Sequence, residues 1–307
     1  MEADTSGKLM FTRACVLFFI LWITPGLCAG AGLVDHAGRL VDVPGNPRRV
    51  ISLAPSITEM VFAVDRGDRL AGVTEFSDYP YDARQIQSVG SYVSLDLEKI
   101  VSLNPDLCIA IKDGNPLSVI KRLGELDIPV YAVDPRDMDS VIGALRDIGI
   151  LLGAEKQAGR VIADMKERMD KVRGKISGTS QRPGVFFQIG ADPVVSAGSD
   201  TFIHELITMA GGRNLASGHK GYPRFSTEEV LALDPEIIIV TSMNRQGAFD
   251  RVVEKWKRWN DLAAAENDRI YLVESDLVDR PSPRLIKGLE ELARLIHPDQ
   301  FRQGGRN

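Results

Sequence analysis

Cysteine is scarce in this chain. There are three in 307 residues, Cys15, Cys28 and Cys108, and the first two stand ahead of anything that reads as a folded domain. A lone cysteine in the remainder can close no internal disulfide, so the fold must rest on its core. Cys108 lies inside an apolar run and reads as a buried structural thiol rather than a nucleophile. A surplus of positive charge is missing as well: the net charge is −5, and no basic run repairs it, which excludes an electrostatic footprint for nucleic acid.

The usual marks of catalysis are also absent. The chain has no Gly-x-Ser-x-Gly elbow, no P-loop and no dinucleotide glycine fingerprint. His204-Glu205-Leu206-Ile207-Thr208 begins like a zincin helix, but Thr208 stands where the second metal-binding histidine is required. With four histidines in all, a secreted metal-dependent hydrolase is a remote alternative. The expectation is a protein with no catalytic residue, no metal ligand and no intrinsic cofactor.

Long apolar runs are confined to the start. Residues 14–23 follow Lys8 and Arg13 and precede Thr24-Pro25-Gly26 and Ala29-Gly30-Ala31. That order describes a secretory signal peptide, residues 1–31, cleaved near Ala31. The run is shorter than the roughly 18 apolar residues that a membrane span needs. Cys28 offers a lipidation site, yet Pro25-Gly26-Leu27 lacks the small residue expected beside a lipidated cysteine. The mature chain is therefore expected outside the cytoplasm, without a lipid anchor.

What is present is the composition of a globular protein, 44% hydrophobic and 26% charged, with length for two lobes. Short β-branched runs alternate with helical stretches through residues 46–136 and again through 183–303. Alternation of this kind calls for mostly parallel sheets covered by helices. Ser56-Ile57-Thr58-Glu59 reads as a capping box opening the helix 59–64. Between the two series, residues 137–178 carry apolar positions at helical spacing, interrupted at Gly153, and no strand. The fold class is α/β, two Rossmann-like lobes joined by a long helical backbone.

One sentence occurs twice. LEKIVSLNPDLCIA (97–110) and TEEVLALDPEIIIV (227–240) share a glutamate, a Pro-stopped short helix and a buried strand, in the same order. Asp96 and Ser226 are N-caps, which puts Glu98 and Glu228 at N2. An acid in the first turn stabilises a helix by roughly 0.3–1 kcal/mol through the macrodipole. Glu229, three residues after Ser226, already completes a capping box, so Glu228 is left for another role, such as docking to a partner that bridges the lobes.

RVISLAPSITEMVFAV (49–64), GVTEFSDYP (72–80), LDLEKIVSLNPDL (95–107), FFQIG (186–190), FSTEEVLALDPEIIIV (225–240) and DRPSPRL (279–285) together resemble the helical-backbone substrate-binding proteins of ABC importers, vitamin-B12 binders above all. The family also carries ferric siderophores and haem. The resemblance implies a monomer that captures a small-molecule ligand between its lobes and delivers it to a membrane permease. It implies permease docking through Glu98 and Glu228, and ligand contacts from Phe76, Tyr92, Tyr222, Asp276 and Arg280. For Arg280 the plainer reading is a surface ion pair with Asp279, worth little in water. The B12 binders' other cage aromatics match Ile111, Ile189 and Val195, so half the cage is aliphatic here. Arg224, Arg280 and Tyr222 would suit an anionic ferric chelate, and His219 is the histidine nearest these motifs for haem. The expected ligand is a corrinoid, with a ferric siderophore or haem as the alternative metal chelate.

Overall fold

The computed structural model describes residues 31–242 and 250–302. The expected signal peptide, with Cys15 and Cys28, lies outside them but for Ala31, which opens a strand. Among the described residues no helix is long and apolar enough to cross a membrane.

In the first lobe four parallel strands lie in the order Leu70–Gly72, Val50–Ser52, Leu107–Ile111, Val130–Val133. Residues 107–110 of the third are all buried, the continuous apolar run of a strand covered on both faces. Cys108 is fully buried, and burial, with Asp106 nearby, pushes its thiol up to about 12. A hairpin, Ala31–Val34 with Leu40–Val43, is tied to this lobe: the His36 amide donates to the Ala132 carbonyl at 2.9 Å.

The second lobe's sheet has six strands among the described residues. Gly184–Ala191, Ile237–Ser242 and Ile270–Glu274 run parallel, with Arg213–Asn214 parallel to the first of them. Val194–Ser196 and Arg224–Phe225 extend the sheet antiparallel. Trp256 is fully buried and its indole donates to Gln188 Oε1 at 2.7 Å, which satisfies two polar groups that would otherwise be costly inside the core.

Two helices, Met138–Leu151 and Glu155–Ile176, join the lobes. Gly153 between them has φ of 57°, a left-handed turn that glycine adopts without penalty. This spine is fastened at both sides. From the first lobe, the Arg66 guanidinium donates to the Leu152 and Gly153 carbonyls at 3.1 and 2.8 Å, covering helix-end carbonyls. Towards the second lobe, Arg168 makes a two-pronged pair with Glu290, both bonds 2.8 Å. One apolar cluster runs through Ile57 and Met60, the spine residues Val141 and Ile148, and Leu206 and Leu289. The lobes thus share a core.

Candidate ligand cleft and docking faces

Two segments face each other across the lobes. The first-lobe side is built by the helix Pro55–Ala63 and the loop after Val73. The helix starts with proline in its first turn and Ala54 as an uncapped N-cap. The expected capping box does not form, because Ser56 is already inside the helix. Glu59 is consequently free of any capping duty and lies buried, its side chain 2% exposed. The loop is fixed by a chain of buried hydroxyls: Ser52 to Thr58 at 2.8 Å, Thr58 to Ser77 at 2.9 Å, and Ser77 to Thr74 at 2.9 Å. It presents Phe76, Asp78 and Tyr79.

The second-lobe side follows the strand Ile270–Glu274 as a single helical turn, Ser275–Val278, then a tight bend into the helix Leu285–Ile296. Gly288 lets that helix lie against the turn, since a Cβ there would stand 2.3 Å from the Leu277 carbonyl oxygen. This segment carries Asp276, Asp279, Arg280, Ser282 and Arg284.

The two sides meet through charge. Arg280 donates from Nη1 to Asp78 at 2.9 Å and to Glu59 at 3.3 Å, and its Nη2 lies 3.1 Å from Asp276. Its partners are these three carboxylates, so the surface pair with Asp279 read from the sequence is not what forms. The exposure of its side chain, 15%, puts the group well inside, where charge pairs are less screened. Arg284 grips Glu59 with two prongs, Nε to Oε2 at 2.8 Å and Nη2 to Oε1. Its guanidinium covers the Tyr79 ring at 4.0 Å, a cation–π contact. Burial works against the Arg284 charge, but the Glu59 pair outweighs it and holds the pKa above its ordinary value.

Asp279 differs from its neighbours. Both carboxyl oxygens are enclosed without a hydrogen-bond partner of normal geometry, as is the nearby Thr241 hydroxyl. Burial, then the adjacent Asp276, raise its pKa to about 7, against weaker opposing effects of Thr241 and Arg280.

The structure brings Asp276 and Arg280 together, and sets Phe76 two residues from Asp78 on the same loop. Phe76 and Tyr222 are 54% and 51% exposed. The pKa of the Tyr222 hydroxyl is raised by burial first, then by the charges of Asp279 and Asp200, with a further contribution from Tyr92 of the other lobe. Tyr92 is held by Asn115, whose amide donates to the Tyr92 and Leu53 carbonyls at 2.9 and 2.8 Å. Ile111, Ile189 and Val195 are half-buried. Arg224 is exposed, paired in register with Val195, and the structure does not join it to the charged cluster. His219 is exposed and meets Phe225 edge-on at 5.4 Å. Two surface hollows of about 460 and 450 Å³ lie elsewhere, and neither is lined by Glu59, Asp276 or Arg280.

Glu59, Asp78, Tyr79, Ser282 and Arg284 escaped the sequence reading. Two signals were available. Proline at position 55 marks a helix start, and an acid among Ile57, Met60 and Val61 sits on an apolar helical face.

The doubled helices are Leu97–Ser102 and Thr227–Leu233. Asp96 accepts from the Lys99 amide at 3.0 Å, and Ser226 forms a full capping box with Glu229. Glu98 and Glu228 are both exposed at N2, with no hydrogen bond or ion pair among the described residues.

The architecture is thus two α/β lobes on a helical spine, meeting through a cluster of paired charges. Residues 50–277 match the family model described as periplasmic binding protein, and the chain belongs to that family. Its members are substrate-binding proteins of ABC transporters, not enzymes. The chain is 33% identical over 275 residues to an uncharacterized ABC transporter substrate-binding lipoprotein, YvrC, of Bacillus subtilis, covering 88% of this chain and 86% of that one. The crystal structure of the periplasmic vitamin B12 binding protein BtuF of Vibrio cholerae superposes with a TM-score of 0.74 at 26% identity, covering 83% and 99% of the two chains. A periplasmic heme binding protein from Pseudomonas aeruginosa gives a TM-score of 0.75 at 28% identity over 82% and 93%.

Proposed function

We propose that this protein is exported, captures a corrinoid between its lobes and hands it to the permease of an ABC importer. The observation that supports the reading is the charged cluster between the lobes, in which Arg280 meets Asp276, Asp78 and Glu59, with the half-exposed rings of Phe76 and Tyr222 taken as the ligand's apolar contacts. Aromatic faces hold the rim of a broad, partly apolar ligand, and a few convergent polar groups orient it. The amide-fringed edge of a corrinoid offers both donors and acceptors to such a cluster. Tyr92 adds a further ring, and Ile111, Ile189 and Val195 supply aliphatic wall. Glu98 and Glu228 are the permease handles, one exposed acid per lobe with no partner among the described residues, complementary to basic residues on the membrane partner.

A second reading, an anionic metal chelate such as haem or a ferric siderophore, is favoured by one observation: Arg224, near Tyr222 in sequence, is exposed and its side chain has no partner among the described residues, leaving it available for a carboxylate. Calorimetric titration of the mature protein with cyanocobalamin, haemin and a ferric siderophore decides between them. Saturable one-to-one binding of cyanocobalamin alone supports the corrinoid; tighter binding of either iron chelate replaces it with the second reading. The intact mass of the exported protein separates cleavage near Ala31 from lipidation at Cys28.

A further inference from the structure

The Glu59 carboxylate has about four acceptor positions, and all are filled from the other lobe. Oε2 accepts from Arg284 Nε at 2.8 Å and Ser282 Oγ at 2.5 Å. Oε1 accepts from Arg284 Nη2 and from Arg280 Nη1, the latter at 3.3 Å. The donors lie more than 220 residues along the chain. A two-pronged guanidinium–carboxylate pair fixes both planes, and the Tyr79 ring backs the guanidinium on the first-lobe side. Once that plane is set, Oε1 has one direction left, and Arg280 occupies it.

Arg280 is thereby steered. Its Nη1 is shared between Glu59 and Asp78, and its Nη2 leans on Asp276. Of its five donors, Nε and the second Nη2 hydrogen take no partner among the described residues.

We propose that Glu59 is a positioning residue: by clamping Arg284 and Ser282 it holds the lobes at one opening and presents Arg280, through its two uncommitted donors, as a preset acceptor-binding point for the ligand. The ligand half of this rests on the reading of the cluster as the binding site; the lobe-holding half does not. Rigidly presented donors bind more tightly than mobile ones because less order has to be imposed on binding.

The experiment has two arms on the mature chain. Spin labels at Lys121→Cys in the first lobe and Glu266→Cys in the second report the inter-lobe distance; Cys108 is buried and escapes labelling. A single narrow distribution is expected, broadened by Glu59→Gln. An unchanged width overturns the clamp. In the second arm, Glu59→Gln weakens cyanocobalamin binding about tenfold to a hundredfold, the range for hydrogen bonds to charged groups, yet changes it little when Arg280→Ala is already present. Equal losses in both backgrounds overturn action through Arg280. Should Glu59→Gln fail to fold, Ser282→Ala, which removes one bond to the same carboxylate, is expected to broaden the distances and weaken binding to a lesser degree, and no change in either counts against the proposal. Failure of the wild type to bind any metal chelate overturns the functional reading, while the spin-label distances still decide the clamp.

Discussion

The helix Leu97–Ser102 and the helix Thr227–Leu233 are the same device built with different chemistry. The first is capped by an aspartate whose carboxylate also draws in the Lys99 ammonium at 3.3 Å; the second by a serine and a reciprocal glutamate. Both leave through a left-handed residue before proline, Asn104 with φ of 45° and Asp234 with φ of 42°, the residue types that tolerate this region best after glycine. The strands that follow are both inner strands, each lying next to an edge strand of its sheet. The caps differ in chemistry, while the exits and the placement of the following strands are alike. The glutamate at N2 is the feature left unused by capping in both copies, and so the one that local helix stability explains least.

The largest effect expected from that comparison is on transport. Glu98→Ala together with Glu228→Ala abolishes uptake through the reconstituted importer and leaves ligand affinity intact, each single change giving a partial loss. A fall in affinity, measured by calorimetry, would instead move the two acids into the cleft.

The lobes differ next in their response to pH. Asp279, in the second lobe, has a pKa near 7 against 3.8 when unfolded. The folded state therefore holds its proton more tightly, and the stabilising contribution is complete below about pH 3.8, falls as pH rises towards 7, and is gone above it. The change amounts to about 4 kcal/mol at most. Asp279→Asn keeps a neutral side chain, so its urea stability should decline less than that of the wild type between pH 5 and 8. Identical slopes would show that Asp279 ionises as an ordinary carboxylate.

Gly288→Ala tests the asymmetry of packing. Placing a Cβ against the Leu277 carbonyl forces the helix Leu285–Ile296 away from the turn that carries Asp276, with a cost of about 1–3 kcal/mol from overpacking. Chemical denaturation reads the loss, and ligand affinity should fall with it; a fully stable variant would mean the turn simply yields. The smallest effect concerns the caps. Ser226→Ala and Asp96→Ala each cost about 1 kcal/mol, since each removes the side-chain acceptor of one first-turn amide. If Asp96→Ala proves the costlier, the Lys99 pair matters more than its exposure suggests.

The repeated sentence, the strands 107–111 and 130–133 and the helical spine were legible because each depends on neighbours within a few residues: periodicity, caps and prolines act locally. Glu59 was misread for the same reason. Ser56 and Glu59 have capping-box spacing, and nothing nearby in sequence reveals that the helix has already begun at Pro55. Arg284 lies inside the motif DRPSPRL, yet its partner is more than 200 residues away. Pairing over such a separation leaves no periodic trace.

The sequence by itself determined the two lobes, the spine that joins them and the exposed glutamate on each, because burial pattern and helix-end chemistry are written in adjacent residues. Only the tertiary structure decided which charges meet between the lobes. Glu59, Asp78, Asp276, Arg280 and Arg284 are tolerable away from water only in one another's company, since a charge taken from solvent must be paired and hydrogen-bonded, and that company is assembled by folding alone.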